Sequence, residues 1–486
     1  MAIVPLPANP VLPGTYPDPS ICRVGGDYYL VTSTFEYFPG LPIFHSTDLE
    51  HWHQLGHVVD RDGQLDLSTV ESSEGLFAPT IRHDGERFFI TCTLVGGSGR
   101  QGNFVMTAVD ATGPWSDPHW LDDAEGIDPS LFFDDDGRAW YTGTHLTESP
   151  DWPSQTSVWL RELDRSTLRL TGEKHVLWHG ALLGAVWAEG PHLFKRNGWY
   201  YLLASEGGTE FAHALSVARS RDVTGPYLGF EANPVLTHRN LGHRHPVTDV
   251  GHADLVETPD GAWAAVLLAA RPYGGYHANL GRETFMVGVE WEDDWPIFAP
   301  GVGQVTAAAP ADEPGYAVPD HLDWTSLRGS SAGFATVEGD GVTLRASPLG
   351  LDEVGTPAFA GIRQRHRDAF FTATIGHTSS RAGIVVRQSE GVHLFFARTG
   401  DVVTLSRSGA IIAEFAIVGD ATLTLTTAGQ DYSFTVDSDT GSDARTVDGR
   451  FLSSQSSGGF LGVWFGLAAV GEPGPVTFTD VLYGGR

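Results

Sequence analysis

Polar and apolar positions alternate with period two along much of the last third of the chain. Gly341-Val-Thr-Leu-Arg-Ala, Gly383-Ile-Val-Val-Arg-Gln, Val402-Val-Thr-Leu-Ser-Arg, Ala421-Thr-Leu-Thr-Leu-Thr and Tyr432-Ser-Phe-Thr-Val-Asp all follow it. Successive side chains of a strand point to opposite faces, so such runs bury one face and wet the other. They predict an antiparallel β-sandwich over residues 320–486. Helical periodicity of useful length is absent throughout.

The first 300 residues carry a longer rhythm. A short Pro- or acid-containing step runs through apolar residues to a turn containing Gly, then into an aromatic or β-branched strand. Asp18-Pro-Ser-Ile-Cys leads to Gly26-Asp-Tyr-Tyr-Leu-Val, and Ala78-Pro-Thr-Ile leads to Gly85-Glu-Arg-Phe-Phe-Ile. Asp128-Pro-Ser-Leu-Phe-Phe, Glu189-Gly-Pro-His-Leu-Phe and His252-Ala-Asp-Leu-Val open three more copies, with turns at Gly137, Gly198 and Gly261. Asp84-Gly85, Asp136-Gly137, Asn197-Gly198 and Asp260-Gly261 have the residues that tight hairpins require. Each period leaves room for two further strands, as in Val105-Met-Thr-Ala-Val and Leu215-Ser-Val-Ala-Arg. About four strands per repeat is the size of a propeller blade. The predicted fold is therefore all-β: a five-bladed β-propeller over residues 1–305, a breaker-rich linker over 306–319 around Ala307-Ala-Ala-Pro-Ala-Asp-Glu-Pro-Gly, and the sandwich. A sandwich of coincidentally regular hairpins is the competing architecture for the first part.

Composition narrows the function. Thirty Lys and Arg against sixty Asp and Glu leave a net charge of −30, a field that repels phosphate backbones and anionic lipid. Nucleic acid and membrane are thus excluded as partners, and a neutral ligand is expected. No run of about 18 apolar residues occurs, and the start Met-Ala-Ile-Val-Pro-Leu-Pro lacks the basic-then-apolar order of a secretion signal, which predicts a cytoplasmic location. Cys22 and Cys92 lie in strand-like runs, where small buried thiols are expected rather than a disulfide framework. His-x-x-x-His and Cys-x-x-Cys metal spacings are missing.

The repeat also carries the chemistry. Innermost strands of propeller blades line one channel, so equivalent positions of successive blades converge at one depth. Here those positions are Asp18, Ala78, Asp128, Glu189 and His252. Taken singly, Asp before Pro is a turn residue, a Glu before Gly-Pro is a solvated loop acid, and a lone His belongs to a hydrogen-bonded core. Turn acids have no reason to recur at one blade phase, however. Three carboxyls in one pocket, flanked by Phe35, Phe38, Phe77, Trp187 and Phe211, suit glycosidic hydrolysis, where one carboxylic acid protonates the leaving oxygen and one carboxylate activates water.

At these residues the sequence resembles glycoside hydrolase family 43, in particular its β-xylosidase and α-L-arabinofuranosidase members with a C-terminal concanavalin-like sandwich. The resemblance spans essentially the whole chain. It is carried by Asn9-Pro-Val-Leu-Pro-Gly-Thr-Tyr-Pro-Asp-Pro-Ser, Val31-Thr-Ser-Thr-Phe-Glu-Tyr-Phe-Pro-Gly-Leu-Pro-Ile-Phe-His-Ser, Gly126-Ile-Asp-Pro-Ser-Leu-Phe-Phe, Trp187-Ala-Glu-Gly-Pro-His, Gly251-His-Ala-Asp-Leu-Val and Leu280-Gly-Arg-Glu-Thr-Phe.

The resemblance implies roles. Asp18 would be the general base, Glu189 the general acid, and Asp128 the carboxylate that holds and tunes it. Arg282 would bind sugar hydroxyls and neighbour the acid. Phe35 and Phe77 would wall the terminal-sugar subsite, and Phe460, in Gly458-Gly-Phe-Leu-Gly, would close it from the second domain. His252 would lie at the channel centre, where a structural calcium or sodium ion or a water cluster is the expected neighbour; the chemistry itself requires no cofactor. Asp128 would raise the pKa of Glu189 by like-charge repulsion while Arg282 restrains the shift. Inversion needs a water between base and sugar, hence a carboxylate separation of roughly 6.5 to 9.5 Å. Ile127 stands where some xylosidase relatives carry an aromatic, which leaves xylose against arabinofuranose open. The expected partner is an oligosaccharide, with a homo-oligomer left open. The readings to be separated are a β-xylosidase with arabinofuranosidase side activity, a dedicated α-L-arabinofuranosidase, and a non-catalytic carbohydrate-binding propeller.

Overall fold

The computed structural model describes residues 8–308 and 316–485; the middle of the expected linker, 309–315, lies outside the described residues. Five antiparallel sheets follow one another through the first 300 residues. Their opening strands are Ser20–Val24, Thr80–His83, Ile127–Phe133, Glu189–Arg196 and Thr248–Glu257, the segments that begin each sequence repeat. Three of the sheets are four-stranded, and two gain a short fifth strand, Gly75–Leu76 in one and Leu236–Thr237 in another. Each opening strand packs against the next, and Thr248–Glu257 packs back against Ser20–Val24. Leu12 bridges to Thr284, tying the beginning of the chain into the fifth sheet.

Side chains from all five opening strands meet along the line they enclose. The Arg82 guanidinium pairs with Asp254 at 2.7 Å. Ser20 Oγ donates to Asp254 at 2.6 Å, while His192 Nδ1 lies 3.0 Å from both Ser130 Oγ and Arg82 Nη2. One residue from each strand thus enters one buried hydrogen-bonded ring, which satisfies polar groups that would otherwise be costly to bury.

Beyond residue 316 the alternating runs form two facing sheets, one of eight strands and one of six. Leu344, Phe371, Leu423 and Phe434 of the first share one apolar core with Ile384, Phe396, Leu405 and Phe465 of the second. The expected strands are all present, including Gly341–Arg345, Arg381–Ser389, Val402–Arg407, Ala421–Ala428 and Asp431–Ser438. The one α-helix among the described residues is a single turn, Ser454–Ser457. None of the helices is long and apolar enough to cross a membrane. Cys22 and Cys92 are free and buried.

The two parts are joined by a buried contact. Tyr37–Phe38 pairs as a strand with Ser326–Leu327, and the Tyr37 ring stacks on Trp464 with centroids 3.8 Å apart. Beside it, Arg387 donates to Glu36 Oε1 at 3.3 Å, to the Tyr37 hydroxyl at 3.0 Å and to Glu390 Oε1 at 2.9 Å, and Arg328 also binds Glu390. Two guanidinium groups and two carboxylates therefore balance in a nearly dry interface.

Candidate active site

Proline places the acids. Pro129 and Pro191 have no N–H to give a neighbouring strand, so they are tolerated inside sheets only at irregular positions. The register between each opening strand and its partner slips between Ile127 and Ser130 and again between Glu189 and His192. A third slip lies between Gly251 and Asp254. Such bulges bend the strand and re-aim a side chain. Asp128, Glu189 and His252 sit at these bulges, and Asp18 stands just before Pro19 at the mouth of the first strand. Asp18, Asp128 and His252 have φ of 55°, 56° and 48°, as have Phe35 at 55° and Trp187 at 53°. Left-handed backbone costs an L-residue about 1–2 kcal/mol, and clustering of that strain marks a site held in place by its surroundings.

All nine residues expected from sequence line one cavity of about 500 Å³: Asp18, Phe35, Phe77, Ile127, Asp128, Glu189, His252, Arg282 and Phe460. Its lining combines apolar and aromatic side chains with charged ones. Phe460, on the loop after the short helix of the second domain, lies parallel to Phe35 with centroids 6.1 Å apart and meets Phe77 edge-on at 6.0 Å. Its N–H donates to Ser73 Oγ at 2.9 Å.

The two carboxyls at the ends of the assignment are pushed in opposite directions. Burial raises Asp18, but Arg282, His252, the Ser33 hydroxyl and His213 together bring it below the ordinary aspartate value. Arg282 Nη1 lies 3.2 Å from Asp18 Oδ1 and donates to Thr209 Oγ1 at 2.7 Å, while Ser33 Oγ donates to Asp18 Oδ2 at 2.6 Å. Glu189 is held well above the ordinary glutamate value, by burial first, then by Asp128 and Asp18, with Arg282 opposing. Asp128 is also raised, chiefly by burial, and its Oδ2 accepts the Gly190 N–H at 3.0 Å. One site thus favours the ionised form of one carboxyl and the protonated form of another, the division general acid–base chemistry needs.

Two details differ from expectation. The direct ion-pair partner of Arg282 is Asp18; Glu189 feels the guanidinium only through its charge. Burial, more than the Asp128 charge, raises Glu189 above its ordinary value. His252 Nδ1 lies 3.9 Å from Asp18 Oδ1. Among the described residues no group of three or more His, Cys, Asp or Glu side chains is placed to hold a metal ion. Sequence reasoning missed Ser33, Thr209, Glu210 and His213. The signal for the second and third was Gly207-Gly208, both at positive φ (94° and 76°), which turn the loop after Trp199–Glu206 into the pocket.

Residues 7–296 match the model for glycosyl hydrolases family 43, and residues 321–483 match the beta xylosidase C-terminal concanavalin A-like domain. A xylosidase/arabinosidase of Butyrivibrio fibrisolvens is 40% identical, with 95% of each chain covered. A non-reducing end alpha-L-arabinofuranosidase of Bacteroides ovatus is 36% identical over 96% of this chain and 91% of its own. Among solved structures, the xylan beta-1,4-xylosidase of Bacillus halodurans superposes with a TM-score of 0.88 at 29% identity, covering 98% of this chain and 100% of its own. An all-β chain whose carboxyls are shifted in opposite directions within one cavity, matched along its length in this way, belongs to glycosyl hydrolases family 43 and is a glycoside hydrolase with a C-terminal concanavalin A-like domain.

Proposed function

We propose that the chain is an inverting exo-glycosidase that removes terminal xylose or arabinofuranose from xylo- or arabinoxylo-oligosaccharides, using a five-bladed propeller as its catalytic domain. The propeller reading is supported by five consecutive sheets whose opening strands pack in a closed cycle. Exo action is supported by a cavity of about 500 Å³, near the small end of the roughly 300–1,000 Å³ typical of ligand sites, with Phe460 standing across it. The pentose assignment follows the names of the relatives, which include both xylosidases and an arabinofuranosidase.

The observation that carries the mechanism is a cavity in which Arg282 and Ser33 hold the Asp18 carboxyl below its ordinary value while burial beside Asp128 holds Glu189 above its own. Asp18, kept ionised by Arg282, takes a proton from water as that water attacks the anomeric carbon. Glu189 gives its proton to the leaving oxygen on the opposite side of the sugar ring. Asp128 orients the acid through the Gly190 N–H. At the end Asp18 carries a proton and Glu189 is ionised, and exchange with water restores both. Phe35, Phe77 and Phe460 offer apolar faces to the C–H groups of the sugar.

The test is the initial rate on aryl β-D-xylopyranoside and aryl α-L-arabinofuranoside, with proton NMR of the first anomer released from an oligosaccharide. Hydrolysis with inverted product is expected, and the rate ratio assigns the sugar. Product of retained configuration overturns the mechanism, and a dominant arabinofuranoside rate favours the dedicated arabinofuranosidase. Asp18→Ala and Glu189→Ala should each nearly abolish turnover of an oligosaccharide in a folded protein; ordinary activity in either removes that role.

A further inference from the structure

His213 has no role in the mechanism above, yet it is wholly buried at the base of the acid. It lies on the strand-flanking segment just before Ala214–Ser220. Its Nδ1 is 3.0 Å from the backbone carbonyl oxygen of Asp249. A carbonyl only accepts, so Nδ1 must carry the hydrogen. Burial, with the nearby His252 and Arg282 charges, pushes the ring down to about 3 despite that bond, so the imidazole is neutral at ordinary pH. A neutral imidazole has one N–H, and here it is spent on Asp249. Nε2 is therefore a bare lone pair. Among the described residues it has no hydrogen-bond partner, and the group it faces is Glu189 Oε1, 3.9 Å away.

Buried polar atoms are nearly always paired, and an exception calls for a reason. The ring is held by its bond to Asp249 and by close packing on one face. Gly251 lies against it so closely that a Cβ there would sit 2.4 Å from its Cε1. The carbonyl that pins it belongs to Asp249, whose own carboxyl receives the Tyr276 hydroxyl at 2.7 Å. A lone pair fixed in this way attracts a carboxylic O–H and repels a carboxylate.

We propose that His213 is a positioning residue for the acid: its Nε2 accepts the Glu189 O–H and retains that proton until the O–H turns from Nε2 and the proton passes to the leaving oxygen. The inference rests on the reading of Glu189 as general acid. The gap of 3.9 Å is longer than a hydrogen bond, and catalytic contacts of this kind tighten when substrate binds. The other charges facing Glu189 are Asp128, Asp18 and Arg282, and those facing His213 are His252, Arg282 and Asp18. After proton transfer Glu189 is ionised between the Asp128 carboxylate and the lone pair of His213. Both repel it, so the proton is regained from water before the next turnover.

The experiment is the kcat–pH profile with a disaccharide, whose leaving oxygen needs protonation, for wild type, His213→Phe and His213→Gln. The Phe variant keeps a planar ring and loses the acceptor. Its alkaline limb should move to lower pH by about one unit, a tenfold weaker hold on the proton. The Gln variant donates to Asp249 and still offers an oxygen, so its limb should return towards the wild-type position. A merely structural role would scale the whole profile and leave the limb in place. An unmoved limb in folded His213→Phe overturns the proposal. If that variant does not fold, nitrogen NMR of histidine-labelled wild type decides: an Nδ1–H tautomer at His213, identified by its absence in His213→Gln, supports it, and an Nε2–H tautomer overturns it. Glu189→Ala separates the two readings. Loss of disaccharide turnover there, with an unmoved limb in His213→Phe, removes only this proposal; retained turnover with an intact limb removes the acid assignment itself.

Discussion

Replacing Arg387 with Met tests whether the second domain holds the pocket together electrostatically. The side chain is fully buried and makes four polar contacts, with Glu36, Tyr37, Ser72 and Glu390. Met is of similar length and fills the space, so the substitution removes charge and donors rather than volume. Two guanidinium groups and two carboxylates become one and two, leaving one uncompensated buried negative charge. Breaking a buried pair in this way costs about 3–5 kcal/mol. Glu36 is the group that will respond, because burial already raises it and Arg387 is the first of the charges that pull it back. Without Arg387 it takes up a proton in the folded state, so the deficit should be smaller at pH 5 than at pH 8. Urea unfolding followed by tryptophan fluorescence suits the question, since Trp464 stacks on Tyr37 at this interface. The double variant Glu36→Gln/Arg387→Met should recover most of the loss, because no unpaired charge remains on Glu36. A loss under about 1 kcal/mol in the single variant, or a double variant no more stable than the single, refutes the argument that the pair is buried and mutually dependent.

Three other outcomes follow from the site. Phe460→Ala removes one face of the sugar pocket and should lower kcat/KM by about 10- to 30-fold, from roughly 1.5–2 kcal/mol of lost apolar contact; unchanged kinetics would show that the loop from the second domain does not touch substrate. Arg282→Gln deletes the charge that does most to lower Asp18, so the acid limb of the kcat/KM profile should shift to higher pH, and a fixed limb would assign it to another group. Glu189→Gln should be more stable than wild type in alkali: a carboxyl whose folded pKa is raised contributes its stability below the unfolded value and loses it as pH rises through the folded one, a difference that thermal melts from pH 5 to 9 will show or exclude.

Much of this site was legible because the repeat supplied coordinates. Asp18, Asp128 and Glu189 share a phase of the sequence repeat, and that phase alone pointed to three sequence-distant carboxyls lying together. The bulges were less legible. Pro129 and Pro191 announce an irregular strand, but where the register slips depends on the partner strand, which sequence does not reveal. His213 was invisible for a related reason: it lies off the repeat phase, and a single His reads as core until the carbonyl of Asp249 fixes its hydrogen. The direct pairing of Arg282 with Asp18 likewise depends on rotamer and on Thr209, neither of which leaves a mark in the sequence. In the second domain the alternation of Ala421–Ala428 and Asp431–Ser438 was plain, since these strands wet one face.

The wall that Phe460 lends to the pocket also has a consequence in time. The fifth sheet ends at Phe298, and roughly 160 further residues must be synthesised before Phe460 leaves the ribosome, which takes about 8 to 30 s at some 5–20 residues per second. During that interval the acids can already be assembled while the pocket has no cover on the side of the missing domain. The complete sugar-binding wall therefore arrives with a finished and docked chain, not with the first domain to fold.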